Sequence, residues 1–290
     1  MSAPWSILFR ESRQTREELE AARELAAVAP IRSQVEPGSL VVARYSALPH
    51  YRELWADLST FGSRLVNAPE QHERIARLEY AEDLGELTFK TWGDFQEIPL
   101  AERGGAFVVK GKTNSKKFEW ASKMFAPDFA SAVRVGAELR MDSMIGEQGL
   151  AIRRFEELEI FETGVSGTPM ANEWRLFFLG EELLASGFYW SILEDMSKAE
   201  AARPGFESRG VEFARECARR LAPTMEFFAL DIARKANGDW IAVEVNDGQQ
   251  AGLNGSVDPR ELYRNLGLAL GRRPDLFPKP GAGRRAGPGR

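Results

Sequence analysis

Apolar and polar positions along this chain change their period near residue 88. Before it, short apolar runs at residues 5–10 (WSILFR), 39–46 (SLVVARYS) and 64–69 (RLVNAP) alternate with two stretches of helical spacing, 15–29 and 68–84. Apolar runs separated by helices predict a parallel sheet buried on both faces, so the first part reads as a small Rossmann-like lobe. Beyond residue 88, longer runs rich in Phe, Leu, Ile and Val follow one another at 106–110, 150–162, 172–190 and 225–247. Turn signals at Gly180 and at Asn237–Gly238 separate them, which predicts antiparallel strands. Helical spacing returns at 116–125, 127–139, 206–222 and 258–270. Residues 271–290, dense in Pro, Gly and Arg, predict a disordered tail.

Composition narrows the classes. With 290 residues, 43% hydrophobic and 10% aromatic, the chain can fill one large core or two to three lobes. A net charge of −5 argues against a nucleic-acid partner, which needs a clustered basic surface. The single cysteine, Cys217, excludes an intrachain disulfide and a thiolate metal cluster, and its helical surroundings read as packing. No apolar run approaches the ~20 residues of a membrane span, and the N-terminus lacks a signal-peptide pattern, so a cytoplasmic protein with no membrane partner is expected.

The candidate chemistry lies beyond residue 88. Gly-x-Gly-x-x-Gly follows none of the front strands, which leaves dinucleotide binding without support. Residues 106–113 (AFVVKGKT) satisfy a loose phosphate-loop pattern, but Phe107, Val108 and Val109 read as strand interior rather than exposed N–H groups. Lys110 closes that strand, and a polar loop with Gly111, Asn114 and Ser115 follows. A cation and a mobile backbone there can both reach one polyphosphate, or the lysine is a solvated strand end. Arg175 stands in an apolar strand with Glu173 on the same face; it pairs with Glu173 or addresses an anionic ligand. Asp231 lies in an apolar strand, and the turn at Asn237 and Gly238 returns the chain through Glu244 and Asn246. In a hairpin these three oxygen-bearing side chains can converge on one face, a donor set suited to a hard cation such as Mg2+, or they are polar strand ends meeting water. His50 and His72 read as surface residues, and Arg10, Arg44 and Arg153 as surface charge or contacts for a substrate carboxylate.

The order of these parts resembles the ATP-grasp superfamily: a front lobe ending in RLVNAP, then FVVKGKTNSKK, AIRRFEELE, NEWRLFFLG, FALDIA and AVEVND. The resemblance spans roughly residues 60 to 255 and is strongest to RimK-like peptide ligases and to the R-two-K clade. It implies an α+β / α/β fold, two α+β lobes gripping ATP behind a Rossmann-like lobe, divided as 1–88, 89–150, 151–270 and a tail, 271–290. Carried over, Lys110 contacts the ATP phosphates, and Ser115, Lys116 and Lys117 lie on a phosphate-covering loop. Backbone groups around Arg154, Phe155 and Glu156 read adenine, and Glu157 or Glu159 holds ribose. Arg175 steadies the phosphate and the acyl-phosphate, and Asp231, Glu244 and Asn246 hold one or two Mg2+, with Mn2+ as a substitute. Lys90, with Arg77 as rival, stands for an earlier family lysine. Asn114 and Ser115 replace glycines common in relatives, and Arg154 stands where many carry an acid. The implied function is an ATP-dependent carboxylate–amine ligase acting on small-molecule or peptide substrates; the alternatives are a small-molecule kinase and a non-catalytic nucleotide-binding scaffold. Residues 248–256 (GQQAGLNGS) and the front lobe would choose the substrates. The sequence assigns no oligomeric state.

Overall fold

The protein is described from a computed structural model covering residues 5–10, 16–44, 50–143, 145–164, 167–254 and 256–279. The front lobe contains β1 (Trp5–Phe9), α1 (Arg16–Leu25), β2 (Ala27–Ala29), β3 (Leu40–Arg44), α2 (Tyr51–Thr60), β4 (Arg64–Leu65), α3 (Pro69–Ala76) and α4 (Tyr80–Leu84). Its strands form a parallel sheet in the order β2-β1-β3-β4. Alternation divides their side chains: Leu8, Val41 and Ala43 pack against Leu54 and Leu58 of α2, whereas Ile7, Phe9, Leu40 and Val42 face the rest of the molecule.

Two helices expected from the pattern are cut short. The segment 15–29 leaves the helix after Leu25, and Ala27–Ala29 pairs with Ser6–Leu8 as an edge strand. Sheet pairing there overrides the helix propensity of alanine. The segment 68–84 breaks at Leu78, whose φ is +65°. The break lets Arg74 reach back to both carboxylate oxygens of Asp83, at 3.0 and 2.7 Å. Helix α2 is not foretold by the pattern.

The small lobe is an antiparallel sheet, order β5-β8-β6-β7, made of β5 (Thr91–Trp92), β6 (Phe107–Gly111), β7 (Phe125–Ala126) and β8 (Leu150–Arg154). Helices α5 (Trp120–Lys123), α6 (Phe129–Arg140) and α7 (Ile145–Gln148) complete it. Asp128 caps α6 by accepting the Ser131 N–H at 2.7 Å. Phe107, Val109, Leu150 and Ile152 enter its core, so the alternate residues Val108, Lys110, Ala151 and Arg153 face the other way.

The large lobe holds the hairpin β9 (Ile160–Thr163) and β10 (Pro169–Ala171) and a second antiparallel sheet, β12-β11-β13-β14. The latter comprises β11 (Glu173–Leu179), β12 (Glu182–Phe188), β13 (Phe227–Arg234) and β14 (Trp240–Asp247). One face, with Trp174, Leu176, Leu230 and Ile232, packs under α8 (Ser197–Gly205), a π-helical turn at Phe206–Gly210, and α9 (Val211–Leu221). Trp174 stacks on Phe206 with centroids 4.0 Å apart, and Cys217 is buried in this layer. On the other face, Phe177, Leu179, Phe227 and Ala229 pack against the front lobe and α10 (Pro259–Gly271). The remainder of that face looks toward the small lobe. Gly187 permits this packing, since a Cβ there would lie 2.4 Å from the Ser256 carbonyl oxygen.

Three readings are corrected by burial. His72 is not a surface residue: it stacks on Tyr51 at 4.0 Å, and its Nδ1 lies 2.9 Å from Asp247 Oδ2. Asp247 also accepts Asn67 Nδ2 at 2.8 Å, and Asn67 bonds both the N–H and the carbonyl of Phe227, so a buried polar knot ties the front lobe to the end of β14. Arg44 is likewise internal, bonded to Glu18 at 2.7 Å and to the carbonyls of Gly248 and Ala251. The expected tail begins later than residue 271, because Pro274–Leu276 forms a helical turn and Leu276, 2% exposed, joins the core. Residues 280–290 lie outside the described residues. No helix among the described residues is long and apolar enough to cross a membrane.

Candidate active site

A cavity of about 450 Å3 opens between the two antiparallel sheets. Its lining combines apolar residues, among them Val108, Met124, Phe125, Phe155, Leu158 and Ile160, with the charged Lys110, Arg153, Glu244, Glu173 and Lys117. Register builds the charged part. Across the large-lobe sheet Arg175 lies opposite Asp231, and Asp231 opposite Glu244, so three charged residues from three strands form one row on one face. The pairing shifts just past Asp231, which keeps this row aligned although the two strands differ in length beyond it. From the small lobe, Lys110 and Arg153 descend from β6 and β8 on their common inner face.

The charges interlock. Lys110, 7% exposed, donates to Glu244 in an ion pair. Arg153 donates to the Val243 carbonyl at 2.7 Å and to the Tyr80 hydroxyl at 3.1 Å, while its Nε is buried with no protein partner. Arg175 grips Asp231 in a fork with both bonds at 2.7 Å, and its third nitrogen donates to the Gly252 carbonyl at 2.8 Å. Of the two alternatives open for Arg175, the pairing with Glu173 is not formed; the carboxylate it pairs with is Asp231. Glu173 instead accepts the Trp190 indole N–H at 3.0 Å.

Burial and neighbours set the charge states. Burial alone would raise the Glu244 carboxyl, but Lys110 and Arg153 overcome it and hold it at about 2. Burial foremost lowers the Lys110 ammonium, with Glu244 opposing and Arg153 adding. Glu173 is pushed up to about 8 by burial and then by Asp231, against Arg175 and Lys117. Burial works against the Arg175 charge, yet Asp231 raises its pKa above the usual arginine range.

The expected residues fall into groups. Lys110, Ser115, Lys117, Arg154, Phe155, Glu156, Glu157 and Glu244 line the cavity. Lys117 sits by the Tyr189 and Trp190 rings, its Nζ 3.2 Å from the Tyr189 hydroxyl. The guanidinium of Arg154 turns outward to the carbonyls of Glu102 and Gly104. Phe155 N–H bonds Ala106 in the small lobe, whereas residues 157 to 159 bond 234 to 236 in the large lobe, so Glu156 bridges the two. Arg175 and Asp231 stand behind Glu244 in its row, and Asn246 Nδ2 is 3.4 Å from Glu244 Oε2. Three residues are directed elsewhere: Lys90 pairs with Glu102 at 2.6 Å with its side chain 64% exposed, Lys116 pairs with Asp142, and Glu159 pairs with Arg234. Arg77, the rival to Lys90, pairs with Glu73.

In sequence Arg153 presents itself only as a surface charge or substrate contact. Its signal is the alternation in LAIRR, which puts it on the face of Lys110 once β6 and β8 are paired. As for a metal, no group of three His, Cys, Asp or Glu is poised to hold one among the described residues. The oxygen set fits when the Asn246 amide is counted: Glu244 is held ionised, already carries a cation in Lys110, and has Asn246 beside it.

Residues 99–266 match the ATP-grasp domain of the R-two-K clade, family 3. No curated protein sequence matches the chain. Among solved structures, a RimK domain ATP-grasp protein from Sphaerobacter thermophilus is 16% identical with a TM-score of 0.55, covering 95% of this chain and 99% of that one. D-cycloserine synthetase DcsG is 14% identical with a TM-score of 0.55, covering 92% and 100%. D-alanine–D-alanine ligase from Bacillus anthracis, solved with ATP, is 12% identical with a TM-score of 0.57, covering 95% and 99%. At these identities the likeness carries the fold, two α+β lobes facing one another across a cleft.

Proposed function

This chain belongs to the R-two-K clade of ATP-grasp proteins, and on that premise we propose that it is an ATP-dependent carboxylate–amine ligase. The observation that carries the reading is the row Arg175–Asp231–Glu244, met by Lys110 on the wall of a cavity that also presents Met124, Phe125 and Phe155. A nucleoside triphosphate combines the same two characters, a flat apolar base and a charged polyphosphate. Met124, Phe125 and Phe155 suit the base, and the main chain around Glu156 can read its edge. Lys110 and the unpartnered Nε of Arg153 suit the terminal phosphates. Glu244, Asp231 and Asn246 would hold one or two Mg2+, with Mn2+ as a substitute. When bound, the metal neutralises charge on the phosphoryl group in transfer.

Loading requires an exchange of partners. Lys110 leaves Glu244 for phosphate, and Glu244 becomes available to the cation. Arg175 stays in the Asp231 fork and presents a fixed positive charge near the phosphoryl group. A substrate carboxylate then attacks the terminal phosphorus, ADP leaves, and an amine displaces phosphate from the resulting acyl-phosphate. The chain contributes position and charge rather than a covalent nucleophile. The neighbours named D-alanine–D-alanine ligase and D-cycloserine synthetase support small-molecule substrates.

The test is incubation with ATP, MgCl2 and pools of amino acids and short peptides, with ADP measured alongside mass-spectrometric detection of products. ADP with an amide product supports ligation. A stable phosphorylated product would make the chain a kinase, and ATP binding without turnover in every pool would make it a scaffold.

A further inference from the structure

The Glu173 carboxylate is a buried titratable group on the cavity wall that the proposed phosphoryl transfer leaves unused. It stands two residues before Arg175 on β11, opposite Ala233, and is 7% exposed. Its side chain accepts the Trp190 indole N–H at 3.0 Å, and its main-chain carbonyl accepts the Tyr189 N–H at 2.9 Å. Against these two rings lies an ammonium group. Lys117 Nζ is 5.1 Å from the Tyr189 centroid, 5.2 Å from that of Trp190 and 3.2 Å from the Tyr189 hydroxyl. Two aromatic faces, a hydroxyl and a nearby buried carboxylate are the recognition chemistry of an alkylammonium. The same cavity holds Lys110 and Glu244.

We infer that Glu173, Tyr189 and Trp190 form the subsite for the acceptor amine, which enters as an alkylammonium and gives its proton to Glu173, while Lys117 is the place-holder that this amine displaces. The inference rests on the ligase reading. In the step, R–NH3+ passes one proton to the Glu173 carboxylate, and the freed lone pair attacks the acyl carbon of the acyl-phosphate. The bond from that carbon to the phosphate oxygen breaks, phosphate leaves with the electron pair, and the second nitrogen proton passes to phosphate as the amide forms. Glu173 is suited to the task by its surroundings: burial, Asp231 on β13 and Glu244 on β14 raise its affinity for a proton, against Arg175 on its own strand and Lys117 on the loop. Displaced from the rings, Lys117 is free to turn to the phosphates, so arrival of the amine and neutralisation of phosphate charge are coupled.

The experiment compares two nucleophiles in the full chain with ATP, MgCl2 and a pool of N-acetylated amino acids. Hydroxylamine is largely uncharged at neutral pH and needs no proton acceptor, whereas a primary alkylamine arrives as its ammonium. Glu173→Gln, which keeps an acceptor for the Trp190 N–H, should form hydroxamate at close to the wild-type rate but lose amide formation by roughly 100-fold at a pH just above 8, where the Glu173 carboxyl is mostly ionised and the amine still charged. Wild-type amide formation should level off above about pH 8, where Glu173 is ionised, whereas that of the variant should keep rising about tenfold per pH unit to the amine's own pKa, a difference that loss of packing would not produce. Equal loss of both products, or undiminished amide formation, overturns the inference. Should Glu173→Gln fail to fold, Lys117→Met provides a second reading: removing the place-holder should lower the KM for the amine several-fold, and an unchanged or raised KM overturns the inference. Wild-type protein that forms neither hydroxamate nor amide from any acid refutes the ligase reading itself.

Discussion

Glu244→Gln tests the ion pair at the centre of the site and the chemistry assigned to it. The substitution keeps shape and hydrogen-bonding capacity but removes the charge that faces Lys110. The Glu244 carboxyl is held at about 2 in the folded protein, against an ordinary value of 4.5. A depressed carboxyl stabilises the fold above its unfolded pKa, and that stabilisation is lost as pH falls from 4.5 toward 2. The shift corresponds to about 3 kcal/mol, similar to the loss of roughly 3–5 kcal/mol on breaking a buried ion pair by removing one partner. Urea denaturation at pH 7 should therefore show the variant less stable by about 3 kcal/mol, and the gap should close progressively below pH 4.5. Adding Lys110→Met should recover much of the loss, since the remaining ammonium is the buried charge without a partner. Mg2+-dependent ADP production should be abolished. A gap of equal size at pH 3 and pH 7 would refute the electrostatic reasoning, and undiminished ADP production the metal assignment.

Other substitutions separate binding from stability. Arg153→Met removes the buried Nε and the bonds to Val243 and Tyr80; the KM for ATP should rise by roughly 10- to 100-fold, in line with the loss of a charge-assisted hydrogen bond, as read by initial rates of ADP release. Arg175→Ala leaves Asp231, 1% exposed, without its fork, and should cost about 3–5 kcal/mol in denaturant unfolding; Arg175→Lys should recover only part, because an ammonium cannot make both bonds. Asn67→Ala cuts the bonds to Asp247 and to both backbone groups of Phe227, and calorimetry should show a loss of about 2–3 kcal/mol, since each is left unsatisfied in a dry interior.

The helical break at Leu78 and the edge strand Ala27–Ala29 are not legible in the pattern, because each depends on a distant partner. Asp83 draws Arg74 back across the break, and β1 recruits a segment whose local preference is helical. His72 and Arg44 mislead for a related reason. A histidine in a polar stretch and an arginine at the end of an apolar run both read as surface, and only the docking of the front lobe on β14 and its following loop surrounds them with Asp247, Gly248 and Ala251. The Lys90 assignment follows from order along the chain, and the structure directs its side chain to Glu102 at the surface.

Alternation and composition by themselves determined the succession of a parallel front lobe and a following set of antiparallel strands, because side-chain period and apolar runs are local properties of strands and helices. They also put Glu173 with Arg175, and Glu244 with Asn246, on shared strand faces, since the period of a strand is two. Which charge meets which was a matter for the tertiary structure alone. Register across three strands gave Arg175 to Asp231 rather than to Glu173, and the approach of the small lobe brought Lys110 and Arg153 onto Glu244. The physical reason is that pairing energy falls off with distance and rises with burial, and both quantities exist only after the lobes have packed.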